Sequence, residues 1–326
     1  MMAHAGNTRK AYASHVKAYV GFCIFFDFNP LPASDIALSQ FLVFQSQTVN
    51  PSSLQTYMSG IRAFHLDHGF TWPHVSTRPV IFRTLQGLKR VCGAPAKPKL
   101  AITLEHLLKF REFLNFDDPN DVMWWGAALT AFFCALRKDN VTVEKASSWN
   151  SRANLTRGDF APKYGWARVL EGPLWVRLRH SKTNQQGAKC HLIPLIPIRG
   201  SPLCPVSAVV RALGLQANLP ANSAPFCQFS GGGESTPLTH GSFVRRFKVL
   251  VSSIGLDPND YSGHSFRIGA ATLSFSLTSK HELIKAHGDW ASDAYLAYNR
   301  MSVQTRCLLP SLLALHAAKV ACAFRA

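Results

Sequence analysis

His264 and Arg267, three residues apart in Tyr261-Ser-Gly-His-Ser-Phe-Arg-Ile-Gly, have the chemistry to hold one phosphate between them. On a helix, residues at this spacing share a face. A guanidinium presents a planar fork to phosphate oxygens, and an imidazole adds a further hydrogen bond. Downstream, Asp289-Trp-Ala-Ser-Asp-Ala-Tyr-Leu-Ala-Tyr-Asn-Arg supplies an indole N–H from Trp290 and two tyrosines, Tyr295 and Tyr298, one helical turn apart. A tyrosine beside a clamped phosphate could serve as a covalent nucleophile. The bland alternative is a helix with ordinary polar residues on its surface. The pair gains meaning only from partners elsewhere in the chain.

Two further cations are candidates. Arg137 follows the apolar run Val122 to Leu136, where a buried helix meets the surface; a helix C-terminal cation favoured by the macrodipole is the competing reading. Lys182 lies near the turn of an expected β-hairpin. Leu174, Val176 and Leu178 alternate with Trp175, Arg177 and Arg179, and a return strand begins at Cys190-His-Leu-Ile-Pro-Leu. Lysines at turns are commonly just solvated.

The elements that must position these residues follow from period and punctuation. Asn7 to Phe26 has helical spacing, with Arg9, Lys10, His15 and Lys17 on its other face. Asn29-Pro-Leu-Pro breaks it. A second helix starts at Ser34 or Asp35 and ends at Asn50-Pro-Ser-Ser, a third runs from Ser52 or Ser53 to Leu66 with Arg62 on its polar side, and a fourth covers Pro79 to Val91. Cys92-Gly-Ala-Pro-Ala-Lys-Pro-Lys reads as a linker, which sets a boundary near residue 97. Beyond it, Thr103 caps a helix that stops before Asp117. Pro205 to Leu215 and Thr239 to Ile254 are further helices, the latter carrying Arg245, Arg246 and Lys248, and an apolar helix closes the chain from Leu308 to Phe324.

Composition narrows the function. In 326 residues, 35 Lys and Arg stand against 18 Asp and Glu, a formal charge of +17 spread along the chain, which suggests a nucleic-acid partner. Eight cysteines show no zinc-type spacing and read as reduced thiols of an intracellular protein. The N-terminus has no apolar core for a secretory signal. The longest apolar run is shorter than the roughly 20 residues that span a membrane. The chain begins almost directly in its first helix, which leaves room for an upstream segment in a longer protein.

Taken in order, Arg137 in Ala-Leu-Arg-Lys-Asp-Asn-Val, Lys182 in Ser-Lys-Thr-Asn-Gln, His264-Ser-Phe-Arg267, Trp290 and Tyr298 resemble the tyrosine recombinase family, the phage-type integrases. Residues 1–96 are similar to that family's helical, SAM-like core-binding domain and 97–326 to its catalytic domain. A mainly α fold with a small β-sheet or hairpin is implied. The stretch Gly-Asp-Trp-Ala-Ser-Asp-Ala-Tyr-Leu-Ala-Tyr-Asn-Arg resembles particularly the recombinases of eukaryotic mobile elements, the DIRS-like and Crypton groups.

The resemblance implies a site-specific DNA recombinase or integrase that cuts and rejoins strands through a 3′-phosphotyrosine, with type IB topoisomerase-like chemistry. Arg137 and Arg267 would clamp the phosphate, because charge builds on its non-bridging oxygens during attack. His264 and the Trp290 N–H would add hydrogen bonds, Lys182 would protonate the departing 5′-hydroxyl, and Tyr298 would hold the 3′-phosphate. The bond energy stays in the covalent link, so no cofactor or metal is implied; a metal nuclease would need clustered carboxylates.

The implied partner is double-stranded DNA held in a two-domain clamp, with Arg9, Lys10, Ser52, Arg62 and Arg245 as candidate contacts. Self-association into a tetramer on DNA is implied, the helix after Leu308 docking on a neighbour. No membrane is implied, and in a eukaryote the location is the nucleus. Two departures stand out. Asn140 occupies a position where the family often has an acid, and Asp289 or His287 could fill the role assigned to Trp290. Tyr298 is preferred to Tyr295 because it lies eight residues beyond Trp290 and opens Tyr-Asn-Arg. Two other readings are a catalytically idle, domesticated DNA-binding protein descended from such a recombinase, and a topoisomerase or nuclease acting alone.

Overall fold

The computed structural model describes residues 6–72, 77–93, 97–180, 190–231, 233–290 and 292–298, together with Pro310. Lys182 and the expected C-terminal helix, Pro310 apart, lie outside the described residues. The chain divides into two compact units, Met1–Lys97 and Pro98–Ala326.

The first unit is four helices: α1 (Gly6–Phe25), α2 (Asp35–Ser46), α3 (Pro51–Asp67) and α4 (Pro79–Val91). α1 packs on α3 and α2 on α4 around Tyr19, Phe22, Phe41, Leu42, Leu54, Ile61 and Ile81. Ser34 caps α2, its hydroxyl oxygen accepting from the Ala37 N–H at 3.1 Å. The third helix begins earlier than its serines suggest. Asn50 is its cap, accepting from the Ser52 N–H at 2.9 Å, and Pro51 takes the first helical position. A proline there sacrifices no bond, because the first-turn N–H groups have no intrahelical acceptor.

One histidine ties α3 to the chain that enters α2. His65 on α3 accepts the Ala33 N–H at Nε2 (2.9 Å), and its Nδ1–H donates to the Ile61 carbonyl at 2.8 Å. Arg78 reaches the same corner, donating to Asp35 at 2.6 Å and to the Ala33 carbonyl at 3.2 Å. Burial pushes the His65 pKa below its ordinary 6.5. The unfolded chain therefore binds this proton more readily than the folded chain. The stability it contributes is full above pH about 6.5 and is lost as pH falls through the lower folded value. Amide exchange in α3 is expected to accelerate as the pH is lowered below that point, once corrected for intrinsic exchange. Protection that does not change with pH there would overturn the assignment.

The second unit surrounds α6 (Pro119–Phe133), in which every residue from Asp121 to Phe132 is buried. A helix apolar on all sides belongs in a core. Asp118 caps its start, and Pro119 occupies the first turn. α5 (Leu104–Glu112), α8 (Pro205–Gly214), α9 (His240–Ser253) and α10 (Ser265–Leu277) complete the helical core, with α7 (Lys138–Val141) and α11 (His281–His287) at its edge. Arg246 of α9 is a structural cation, paired with buried Asp121 at 2.6 and 2.7 Å.

The hairpin read from alternation is present: β2 (Leu174–Leu178) pairs antiparallel with β3 (His191–Leu195), Val176 opposite Ile193. A short strand unseen in the sequence, β1 (Phe160–Pro162), adds to β2. Buried Asp159 holds Arg179 at 2.7 Å and Arg177 at 3.6 Å on this sheet. β4 (Cys227–Phe229) pairs antiparallel with β5 (Ser235–Pro237), and the Ser230 N–H donates to the Glu234 carbonyl at 3.0 Å. No helix of the described residues is long and apolar enough to cross a membrane.

Gly269 sets how close α10 comes to the chain entering this unit. The Ile102 N–H donates to the Ser265 carbonyl at 3.1 Å. A Cβ on Gly269 would lie 1.9 Å from the Ile102 carbonyl oxygen. Backbone cannot yield as a flexible side chain does, so Gly269→Ala is expected to destabilise the fold by at least about 1–3 kcal/mol. Thermal unfolding followed by circular dichroism tests this, and an unchanged midpoint would refute it.

Candidate active site

The site is built on the C-terminal end of α6. A helix leaves its last carbonyls without intrahelical donors, and buried ones need partners. Here each can be followed. The Cys134 N–H goes to Thr130, Ala135 to Phe132, and Leu136 back to Ala131 at 2.8 Å, a closure that puts Ala135 in the left-handed region at φ 49°. Two carbonyls here, those of Phe133 and Ala135, are reached from the far end of the chain. His287 donates from Nε2 to the Phe133 carbonyl at 2.8 Å, and Arg267 from Nη1 to the Ala135 carbonyl at 2.5 Å. The cation at this helix end is therefore Arg267, favoured by the partial negative charge there. Arg137 lies four residues beyond the last residue of α6.

Arg267 sits in the first turn of α10 and is 2% exposed. The Trp290 ring covers its guanidinium, whose carbon lies 3.9 Å from the ring centroid. Such a cation–π contact strengthens when desolvated. The fold-back that puts Trp290 there depends on Gly288 and Asp289. The Gly288, Asp289 and Trp290 N–H groups close α11 onto the Ile284, Ala286 and Lys285 carbonyls, with Asp289 at φ 50°. A Cβ on Gly288 would lie 1.7 Å from the Trp290 ring.

Arg137, two residues beyond Ala135, is half-buried and stands at the N-cap of α7. Asn140, the first departure noted in the sequence, accepts the Arg137 N–H on its side-chain oxygen at 3.2 Å. It thus fixes the backbone that carries Arg137. On the same short helix, Asp139 pairs with Lys138 and lies 3.3 Å from His240 Nε2, while His240 Nδ1 is 2.7 Å from the Thr142 hydroxyl. Burial and the Lys138 charge lower the His240 pKa, opposed by Asp139 and Glu144. His240, 98 residues from Thr142, carried no sequence signal for this contact.

His264 is the N-cap of α10, half-buried, its N–H donating to the Ser262 hydroxyl at 3.2 Å. Tyr295 is 5% exposed and packs in a small core with Trp290, Ile284, Ala270 and Ala271. Its ring is parallel to Phe275 at 5.9 Å, and its hydroxyl is 3.4 Å from His281 Nδ1. Tyr298 ends the same 3₁₀ turn, Asp293–Tyr298. The folded chain thus brings Arg137, Arg267 and Trp290 to one end of α6, with His264 three residues before Arg267. Of the nucleic-acid candidates, Arg9, Lys10, Ser52 and Arg62 are exposed on the first unit and Arg245 on the second. Ser52 also donates its hydroxyl to Asn50 at 2.8 Å, so it belongs to the α3 cap. Among the described residues no three His, Cys, Asp or Glu side chains are placed to hold a metal ion.

This mainly helical arrangement with small antiparallel sheets is the tyrosine-recombinase fold. Solved structures that share it include a Tn1549 transposon integrase in complex with transposon right end DNA, 12% identical with a TM-score of 0.58 over 95% of each chain. A XerH site-specific recombinase bound to palindromic difH substrate, in a post-cleavage complex, is 16% identical with a TM-score of 0.57, covering 84% of this chain and 70% of that one. A lambda integrase dimer bound to a COC′ core site is 16% identical with a TM-score of 0.55, covering 92% and 93%. No protein-family model and no curated protein sequence matches the chain.

Proposed function

We propose that this chain is a site-specific DNA recombinase or integrase of the tyrosine type, which breaks and rejoins strands through a 3′-phosphotyrosine. The observation that supports the reading most is the convergence of Arg267, Trp290 and the Arg137 segment on one helix end, within this fold. The Tyr298 hydroxyl attacks the scissile phosphorus, releasing its proton to solvent, and the 5′-oxygen leaves with a proton from Lys182. Arg137 and Arg267, helped by His264, stabilise the charge on the non-bridging oxygens. The 5′-hydroxyl of another strand then displaces the tyrosine and restores the phosphodiester. The first unit acts as a core-binding domain and the second as the catalytic domain, with Arg9, Lys10, Ser52, Arg62 and Arg245 toward the duplex.

Lambda integrase is seen as a tetramer bound to a Holliday junction, and we extend that assembly to this chain on its own DNA. The Gly288-Asp-Trp to Tyr-Asn-Arg stretch supports an origin in a eukaryotic mobile element of the DIRS-like or Crypton kind, and thus a nuclear location.

Incubation with a nicked duplex, which loses its leaving strand after cleavage, is expected to trap a covalent protein–DNA adduct. Duplex binding without an adduct on any nicked substrate would leave only a DNA-binding protein.

A further inference from the structure

We propose that His287 is a positioning residue, a clasp that fixes the Trp290 turn to the end of α6 and to the base of the β2–β3 hairpin. The inference rests on the strand-transfer reading above. Its contacts run to two other elements. The ring of His287 donates to the Phe133 carbonyl of α6 at 2.8 Å, and its own backbone carbonyl faces His191 Nε2 at 3.4 Å. His191 is the first residue of β3, directly after the segment that joins it to β2 and contains Lys182.

The chemistry of the ring excludes a direct role on phosphate. Burial pushes the His287 pKa down, the Phe133 carbonyl opposes this, and His191 adds to the lowering. A neutral imidazole has a single N–H, and here a carbonyl, which can only accept, requires that N–H at Nε2. The only donor is spent inside the fold. The geometry therefore makes His287 an anchor and leaves the role assigned to Trp290 to its neighbours.

What the anchor holds follows from the next three residues. Gly288 and Asp289 turn the chain, and the Trp290 N–H closes on Lys285, so Trp290 reaches Arg267 only while the end of α11 stays against α6. Loss of the Phe133 bond frees that end. It also leaves a helix-terminal carbonyl without its donor, one residue pair away from the carbonyl that Arg267 holds.

The test measures two quantities on the full chain: the single-turnover rate of adduct formation on a saturating nicked duplex, and the affinity for intact duplex. His287→Met is expected to slow the adduct at least tenfold and leave affinity within threefold. His287→Gln places an amide N–H near the Nε2 position and is expected to restore the rate to within threefold of wild type. His191→Leu is expected to slow the step less, and to add nothing to His287→Met, because both act at one joint. An unchanged rate in His287→Met, or equal rates for Met and Gln, would overturn the proposal. Should the Met variant not fold, His287→Gln is compared with its isostere His287→Glu, which has no donor at neutral pH; equal rates overturn the proposal and a slow Glu variant supports it. A wild-type chain that forms no adduct refutes the strand-transfer reading itself, whatever the variants do.

Discussion

Tyr298→Phe is expected to abolish the covalent adduct on a nicked duplex and to leave DNA affinity near that of the wild type. Removing the attacking oxygen leaves the clamp intact but nothing to form the bond, so the loss is on the order of 10⁴-fold or more. The competing nucleophile is Tyr295, and its surroundings argue against it. It is 5% exposed, lies parallel to Phe275, and its hydroxyl is 3.4 Å from His281. A buried ring so packed would have to leave its core to reach a phosphate. Tyr295→Phe keeps the ring and loses one long hydrogen bond, so it is expected to form the adduct at close to the wild-type rate. Denaturing gel electrophoresis of labelled DNA separates the cases. An adduct from Tyr298→Phe and none from Tyr295→Phe would move the assignment by one turn, and adducts from both would refute the tyrosine mechanism.

Arg267→Lys is expected to slow adduct formation by about 10²–10³-fold, the usual effect of removing one donor aimed at developing charge. Lysine keeps the charge but not the planar fork that can donate to the Ala135 carbonyl beneath the Trp290 ring and, in the proposed reaction, to a phosphate as well. A second effect follows from burial. Leaving the Ala135 carbonyl without its donor costs about 1–3 kcal/mol, so the variant is also expected to melt earlier. Duplex affinity is spread over many phosphate contacts and is expected to change little. Single-turnover kinetics at saturating DNA distinguish the step from binding. A variant with wild-type rate would remove Arg267 from the clamp.

Local rules carried much of this molecule. Helical period and capping residues place α1, α4, α8 and α9 within a residue at each end, and alternation places β2 and β3, whereas α6 begins and ends three residues before the apolar run that marks it. Asn50-Pro51 was misplaced because the pair that stops one helix also caps and starts the next. β1, only three residues long, offers too few positions for alternation to register. The long-range joints were illegible. Arg246 reads as a surface cation of α9, yet it returns to Asp121, 125 residues earlier. From position alone Arg137 reads better as a cation for the end of α6, and nothing local says that Arg267 holds that place. His287 could be named as a candidate by type and position, but not as an anchor, since its partner Phe133 is 154 residues away.

The end of α6 also orders events during synthesis. Residues 132 and 154 positions downstream must arrive before the Ala135 and Phe133 carbonyls receive Arg267 and His287. Contacts of such separation form late, after shorter loops have closed. A chain emerging from its N-terminus completes the four-helix unit first and the Arg267 clamp among the last. A ribosome-bound or prematurely terminated chain can thus hold a folded basic unit while the end of α6 still lacks Arg267 and His287.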